Sequence, residues 1–200
     1  MVSETPSYRS KHDLRRDVLA ARASMSPFVL AQVNAELAEW LYRLPVDVED
    51  GDVVAAYVAT GSEPGSIAML DVLVDRGLTV LLPIVPEGAP SRLQWSEYRG
   101  EIELEPRRWG LLEPIGRRLD PDAVHRAKLI LVPALAADQG GARLGRGAGY
   151  YDRTLAPTAA PVAAVVHDAE FVDYDIPQGE MDVPVGWVLT PGSGFTAVGR

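Results

Sequence analysis

From Lys128 to Arg153 the chain reads K-L-I-L-V-P-A-L-A-A-D-Q-G-G-A-R-L-G-R-G-A-G-Y-Y-D-R, and this stretch decides the fold. Lys128 to Ala136 is a nearly continuous apolar run, the pattern of a strand buried on both faces of a parallel sheet. The loop that follows, from Asp138 to Asp152, carries glycines at 140, 141, 145, 147 and 149, where the backbone is free to take positive φ and to approach a ligand closely. Arg143, Arg146 and Arg153 add guanidinium forks suited to phosphate oxygens. Tyr151 to Leu155 would open a helix, so strand, basic glycine loop and helix start together point N–H groups at one spot where an anion is expected to bind. Neither of the commonest nucleotide fingerprints fits. A P-loop needs Lys where Arg146 stands and a hydroxyl where Gly147 stands, and the spacing of Gly145, Gly147 and Gly149 is not that of a dinucleotide-binding turn. Three arginines and a terminal Tyr-Tyr-Asp also go beyond what a merely flexible loop requires.

Outward from this stretch the pattern alternates between helix and strand. Lys11 to Ala23 has an apolar seam of Leu14, Val18 and Ala21 at helical spacing, and Lys11, Arg15 and Arg22 share a face. That basic face is either a solvated stripe or one that reaches a phosphate at the edge of the packing. Ser26-Pro27 marks a second helix start. Asp52 to Ala59 reads as a buried strand, the turn T-G-S-E-P-G follows, and Ser66 to Arg76 reads as a helix leading to a strand at Leu78 to Val85, parallel to the first. Arg92 to Arg99 reads as an edge or hairpin strand, Glu105 to Arg118 as irregular and Pro121 to Arg126 as a short helix. Strands at Val162 to His167 and Trp187 to Thr190 complete the pattern. The expected fold class is α/β, a single three-layer domain over residues 11–200 with a mostly parallel sheet flanked by helices, after a flexible tail at residues 1–10.

Composition narrows the function. With 200 residues, 47% hydrophobic and 24% charged, the chain can bury a real core. A net charge of −9 repels nucleic acids and anionic membranes, so local arginines are expected to serve a small anionic ligand. No apolar stretch is long enough to span a bilayer and the N-terminus lacks the apolar core of a secretion signal, so a cytoplasmic protein is expected, and it is taken as a monomer. The absence of cysteine excludes disulfides, thiolate metal sites and a cysteine nucleophile. His12, His125 and His167 have no metal-ligand spacing and read as structural or surface residues. Asp138 is placed to order the loop entrance through local backbone hydrogen bonds.

The segment L-I-L-V-P-A-L-A-A-D-Q-G-G-A-R-L-G-R-G-A-G-Y-Y-D-R resembles the signature of 5-formyltetrahydrofolate cyclo-ligases, also called 5,10-methenyltetrahydrofolate synthetases. K-x-x-L-R at Lys11 to Arg15, E-P-G-S from Glu63, W-G-L-L-E-P from Trp109 and D-V-P-V from Asp182 fall in that family's order. There are departures: Ala148 within the glycine motif, Ala137 where an aromatic is common, E-P-G-S where E-V-D-T is frequent, and Gly186 at a second acidic position. The resemblance implies a parallel-sheet α/β enzyme that uses Mg-ATP to close 5-formyltetrahydrofolate to 5,10-methenyltetrahydrofolate, releasing ADP and phosphate. The implied partners are these two small molecules.

By the same resemblance, ATP phosphates would be held by Lys11, Arg15, Arg143, Leu144, Gly145, Arg146, Gly147, Ala148, Gly149, Tyr150 and Tyr151, with Arg146 and Tyr151 as the catalytic pair. Val58, Glu63 and Trp109 would line the folate site together with Arg146 to Tyr150. Asp152 and Asp182 would ligate Mg²⁺, which needs only one or two carboxylates beside phosphate oxygens and water. An alternative from a different class is a non-catalytic nucleotide- or folate-binding regulatory protein that keeps the cradle but has lost turnover.

Overall fold

Capping residues set the first two helices. Ser10 accepts a hydrogen bond from the Asp13 N–H at the start of α1 (Lys11–Ala23). Ser26 accepts one from the Val29 N–H at the start of α2 (Pro27–Trp40), whose proline sits where no N–H is needed. The computed structural model describes residues 10–199. Apart from Ser10, which belongs to the cap, the expected tail at residues 1–10 lies outside the described residues.

β1 (Val53–Ala55), α3 (Ile67–Asp75) and β2 (Thr79–Ile84) form one strand-helix-strand unit, with β1 and β2 parallel. β3 (Gln94–Glu97) lies antiparallel on β2 and forms an edge. The segment read as irregular is instead a small hairpin, β4 (Leu104–Pro106) and β5 (Leu112–Pro114), around a 3-10 turn at Arg108–Gly110. Strands of three residues, each ending in proline, are too short for a two-residue periodicity to register.

A 3-10 segment at Pro121–Arg126 leads into β6 (Ala127–Pro133). The apolar run through Ala136 is therefore two strands. Pro133 ends β6, and the chain pairs again as β7 (Ala136–Asp138), the middle strand of a second, three-stranded sheet. Its partners are β8 (Arg143–Leu144), antiparallel, and β10 (Phe171–Val172), parallel. Both halves of the run are buried, so apolarity alone did not mark the break. Half of the glycine loop is thus a tight hairpin, and only Gly145 to Gly149 remains as open loop before α4 (Tyr150–Leu155).

β9 (Val162–Val165), β11 (Trp187–Thr190) and β12 (Gly194–Ala197) complete the main sheet, β12-β11-β9-β6-β1-β2-β3. Its five inner strands are parallel, and both edge strands are antiparallel hairpin returns. β12 was not expected from the sequence. Strand order reverses between β1 and β6, so a crevice opens outside their C-terminal ends, the usual ligand position in such sheets.

Leu37 and Leu41 at the end of α2 and Leu70 and Leu73 of α3 cover one face, against Val54, Leu129 and Ala163. Leu155 of α4 and Val124 of the 3-10 segment cover the other, against Ile130, Val132 and Ala164. α1 packs instead on the second sheet, burying Leu14 with Ala136, Leu144 and Ile176. This docking sets the N-terminal half of α1 beside the glycine loop.

Candidate active site

A cavity of about 330 Å³ occupies the crevice. α1 contributes Lys11 and Arg15, the hairpin contributes Arg143, and the loop contributes Gly145 to Gly149. Arg15 is aimed by the loop itself, since its Nε donates to the Gly145 carbonyl at 2.8 Å. Gly147 has φ +106°, a conformation that side-chain-bearing residues avoid, and it faces the Arg15 guanidinium, 3.5 Å from where a Cβ would stand. Arg143 is buried and donates from Nη2 to Asp152 Oδ1 at 2.6 Å, with its guanidinium 5.9 Å from the centre of the Tyr151 ring. Arg153 braces the loop by donating to the carbonyls of Gly149 at 2.8 Å and Ala148 at 3.3 Å.

A second cavity of about 380 Å³ adjoins the first and is mainly apolar. Val58, Pro83, Val85, Leu93, Leu111 and Leu112 line it, and Trp109 stands at its wall. Trp109 has φ +59°, the only positive φ at a non-glycine among the described residues, and Arg108 stacks over its ring at 4.5 Å. An aromatic side chain held in that backbone region is strained, a condition common where a side chain has been aimed at a ligand. Glu63, Pro133, Arg146, Ala148, Tyr150 and Tyr151 belong to both cavities and form their common wall.

An ion pair joins that wall. Arg146 Nε donates to Glu63 Oε1 at 2.9 Å, while Glu63 Oε2 accepts from the Thr60 N–H and hydroxyl, each at 2.9 Å. The Glu63 side chain is 9% exposed and that of Arg146 is 59% exposed, so the carboxylate is fixed and the guanidinium is accessible. Burial, and then the Glu63 charge, push the Tyr151 phenol well above its usual range, so it stays protonated and is a donor rather than a base.

Most of the expected site residues are gathered here, with instructive exceptions. The Leu144 side chain is fully buried against Leu14 and lines neither cavity, and its carbonyl accepts from the Leu135 N–H. Neighbours in a strand face opposite ways, so Arg143 turns to the cavity and Leu144 to the core. Arg22 shares the sequence face of Lys11 and Arg15 but is buried in an ion pair with Glu170. Ala137 is fully buried in the core rather than on a cavity wall. Asp138 orders the hairpin as expected, accepting from Ala142 N–H at 2.9 Å and Ile176 N–H at 2.8 Å. The sequence reading missed Tyr57, Thr60, Pro133, Leu93 and Glu113. Pro133 at a strand end and Glu113 inside the W-G-L-L-E-P segment carried a local signal, whereas Leu93 did not.

Asp152 and Asp182 both line the basic cavity. Hydrogen bonds engage Oδ1 of Asp152, from Arg143, and Oδ2 of Asp182, from Lys11 and the Gly179 N–H. Partial burial opposes ionisation of Asp182, but the bonds from Lys11 and Gly179 and the charges of Lys11 and Arg143 outweigh it and hold the carboxyl below its usual range. Among the described residues no group of three His, Cys, Asp or Glu side chains is clustered for a metal. Two hard oxygen donors fit Mg²⁺ only if phosphate oxygens and water complete its shell. No helix among the described residues is long and apolar enough to cross a membrane.

Residues 7–191 match the model of the 5-formyltetrahydrofolate cyclo-ligase family. A 5-formyltetrahydrofolate cyclo-ligase from Mycolicibacterium smegmatis is 46% identical over 197 residues, 96% of this chain and 99% of its own length. The protein of the same name from Escherichia coli is 28% identical over 174 residues, 85% of this chain and 94% of its own length. Among solved structures, Aquifex aeolicus 5,10-methenyltetrahydrofolate synthetase superposes with a TM-score of 0.75 at 26% identity, covering 95% of this chain and 93% of that one.

Proposed function

Because this chain belongs to the 5-formyltetrahydrofolate cyclo-ligase family, we propose that it converts 5-formyltetrahydrofolate to 5,10-methenyltetrahydrofolate with consumption of ATP. The observation that carries the reading is the common wall at Glu63 and Arg146, where a basic cavity meets an apolar one. The basic cavity suits the phosphates of ATP, and the apolar one suits the flat ring system of a folate. Their junction is then where the terminal phosphoryl group and the formyl oxygen meet.

The chemistry accounts for the composition of the site. A formyl group on nitrogen is an amide, a poor electrophile whose oxygen is a poor leaving group. Attack of that oxygen on the γ-phosphorus forms an O–P bond and releases ADP, giving an iminium phosphate. N10 of the folate then attacks the formyl carbon, its proton passes to the phosphate group, and hydrogen phosphate departs with the oxygen. Since both nucleophiles belong to the substrate, the protein positions groups and neutralises charge, which requires cations and backbone donors more than a histidine base.

Each side chain has a task on this reading. Lys11 and Arg15 from α1 and Arg143 from the hairpin hold phosphate oxygens. Arg146, accessible and on the common wall, meets the transferred group, where a guanidinium fork stabilises charge spread over equatorial oxygens. The protonated Tyr151 phenol donates at the same junction. Glu63 accepts a folate N–H, and Val58 and Trp109 flank the ring. Asp152 and Asp182 would hold Mg²⁺, which supplies charge neutralisation on the phosphates when bound.

The test is to mix the protein with Mg-ATP and 5-formyltetrahydrofolate and follow the methenyl-folate absorbance and phosphate release together. Both signals should rise with folate-dependent stoichiometry. Affinity for either ligand without folate-dependent phosphate release would instead identify a binding protein on the same fold.

A further inference from the structure

Three adjacent strands, β9, β6 and β1, end at the crevice, and one chain of polar contacts ties the segments that follow them to α1. Arg22, in the last turn of α1, donates from Nε to Glu170 Oε1 at 2.6 Å and from Nη2 to Glu170 Oε2 at 2.7 Å. The same Nη2 donates at 2.7 Å to the carbonyl of Ala134, the residue after β6. Glu170 Oε2 also accepts the His167 N–H at 2.9 Å, just beyond β9. His167 Nε2 lies 3.0 Å from the carbonyl oxygen of Ser62, the residue before Glu63. A carbonyl only accepts, so His167 carries its proton on Nε2. Arg22, Glu170 and His167 are all buried.

None of the three lines either cavity, and none has a task in the reaction above. A buried ion pair is a poor device for stability alone, since well-packed apolar residues of similar volume serve as well or better. What this network supplies is direction, because its bonds tie together three pieces of chain that each carry or adjoin one part of the site. α1 carries Lys11 and Arg15, Ala134 lines the basic cavity, and Ser62 precedes Glu63. The Glu63 turn is held on its other side by Tyr57, whose hydroxyl donates to the Pro64 carbonyl, and by Asn34, which accepts from the Gly65 N–H at 3.1 Å. His167 holds the near side.

Resting on the folate reading of Glu63, we propose that Arg22, Glu170 and His167 are positioning residues. They fix the Glu63 turn in register with α1, so that the carboxylate offered to the folate and the cations offered to ATP meet at one height. His167 is the place to cut the chain, because its side chain can be changed while the Arg22–Glu170 pair and the bond from its own N–H remain.

Without ligand, amide exchange at Thr60 and Glu63 should quicken about five- to tenfold in His167→Leu, the loss of one hydrogen bond, while β6 and β9 keep their protection. By calorimetry, the Kd for 5-formyltetrahydrofolate should rise by about the same factor and that for a non-hydrolysable ATP analogue should stay within about twofold. His167→Gln, whose amide nitrogen takes the place of Nε2, should restore both. Unchanged exchange in the turn overturns the proposal, as does a loosening of the whole sheet with both affinities falling together. If His167→Leu does not fold, His167→Asn, whose amide stops at the Nδ1 position and falls short of Ser62, takes its place. A parent protein that binds no 5-formyltetrahydrofolate refutes the folate reading, and the exchange comparison still decides whether His167 positions the turn.

Discussion

Arg146 meets Glu63 through Nε, which leaves the two Nη groups for oxygens arriving from the basic cavity. Arg146→Lys keeps the charge and loses the fork, so turnover should fall about 10–100-fold with a much smaller change in folate affinity. Steady-state kinetics beside calorimetry checks this, and unchanged turnover would remove Arg146 from the mechanism. Glu63→Gln keeps the size and loses the charge, so affinity for 5-formyltetrahydrofolate should fall by about 1.5–3 kcal/mol while ATP affinity barely moves. Separate titrations of the two ligands distinguish this from the reverse assignment of the cavities. The types of these residues were legible in the sequence because basic side chains between glycines have a local chemical meaning. Their partners were not. The pairing of Arg146 with Glu63 and the burial of Arg22 against Glu170 join residues far apart in the chain, and the Leu144 side chain is turned inward by a two-residue strand too short to show a period.

Among the elements, helices were read closely because caps and apolar spacing are local signals, as at Ser26 and Pro27. Short strands were read poorly. β6 and β7 merged into one apolar run, and β4, β5 and β12 escaped because three or four residues give little period to detect. The β7–β8 hairpin turns on Gly141, which has φ +86° and would place a Cβ 2.5 Å from the Val185 carbonyl oxygen. The Gly141 N–H donates to the Asp138 carbonyl, and its own carbonyl accepts from the Val185 N–H. Gly141→Ala therefore meets backbone that cannot yield cheaply, and should destabilise the protein by about 2–4 kcal/mol through a strained φ and a steric overlap. Urea unfolding checks the value. A midpoint equal to the parent's would mean that the segment at Val185 moves freely away from the hairpin.

Over the whole molecule, the Lys11–Asp182 pair fastens the first helix to a segment near the far end of the chain. The Asp182 carboxyl lies below its ordinary value of 3.8, so its contribution to stability is fully present above that value and is lost as pH falls through the lower, folded one. The thermal midpoint of the parent should accordingly fall more steeply in that acid window than the midpoint of Asp182→Asn. Parallel curves would show that the pair contributes nothing to folding. The α/β class and its mostly parallel sheet were legible from alternating helix and strand patterns, whereas strand order is a property of the closed molecule that no window of sequence contains. That order has a consequence in time. The sheet's two ends are hairpins that join neighbouring stretches, β2 with β3 and β11 with β12, whereas the central seam joins Val54 to Leu129 across nearly everything between them. Contacts between distant stretches close late, because the entropy of the intervening chain must be surrendered before they form. The crevice lies on that seam, so a refolding chain should regain protection in its outer hairpins before it regains the power to bind a ligand, and time-resolved amide labelling beside ligand capture would show that order.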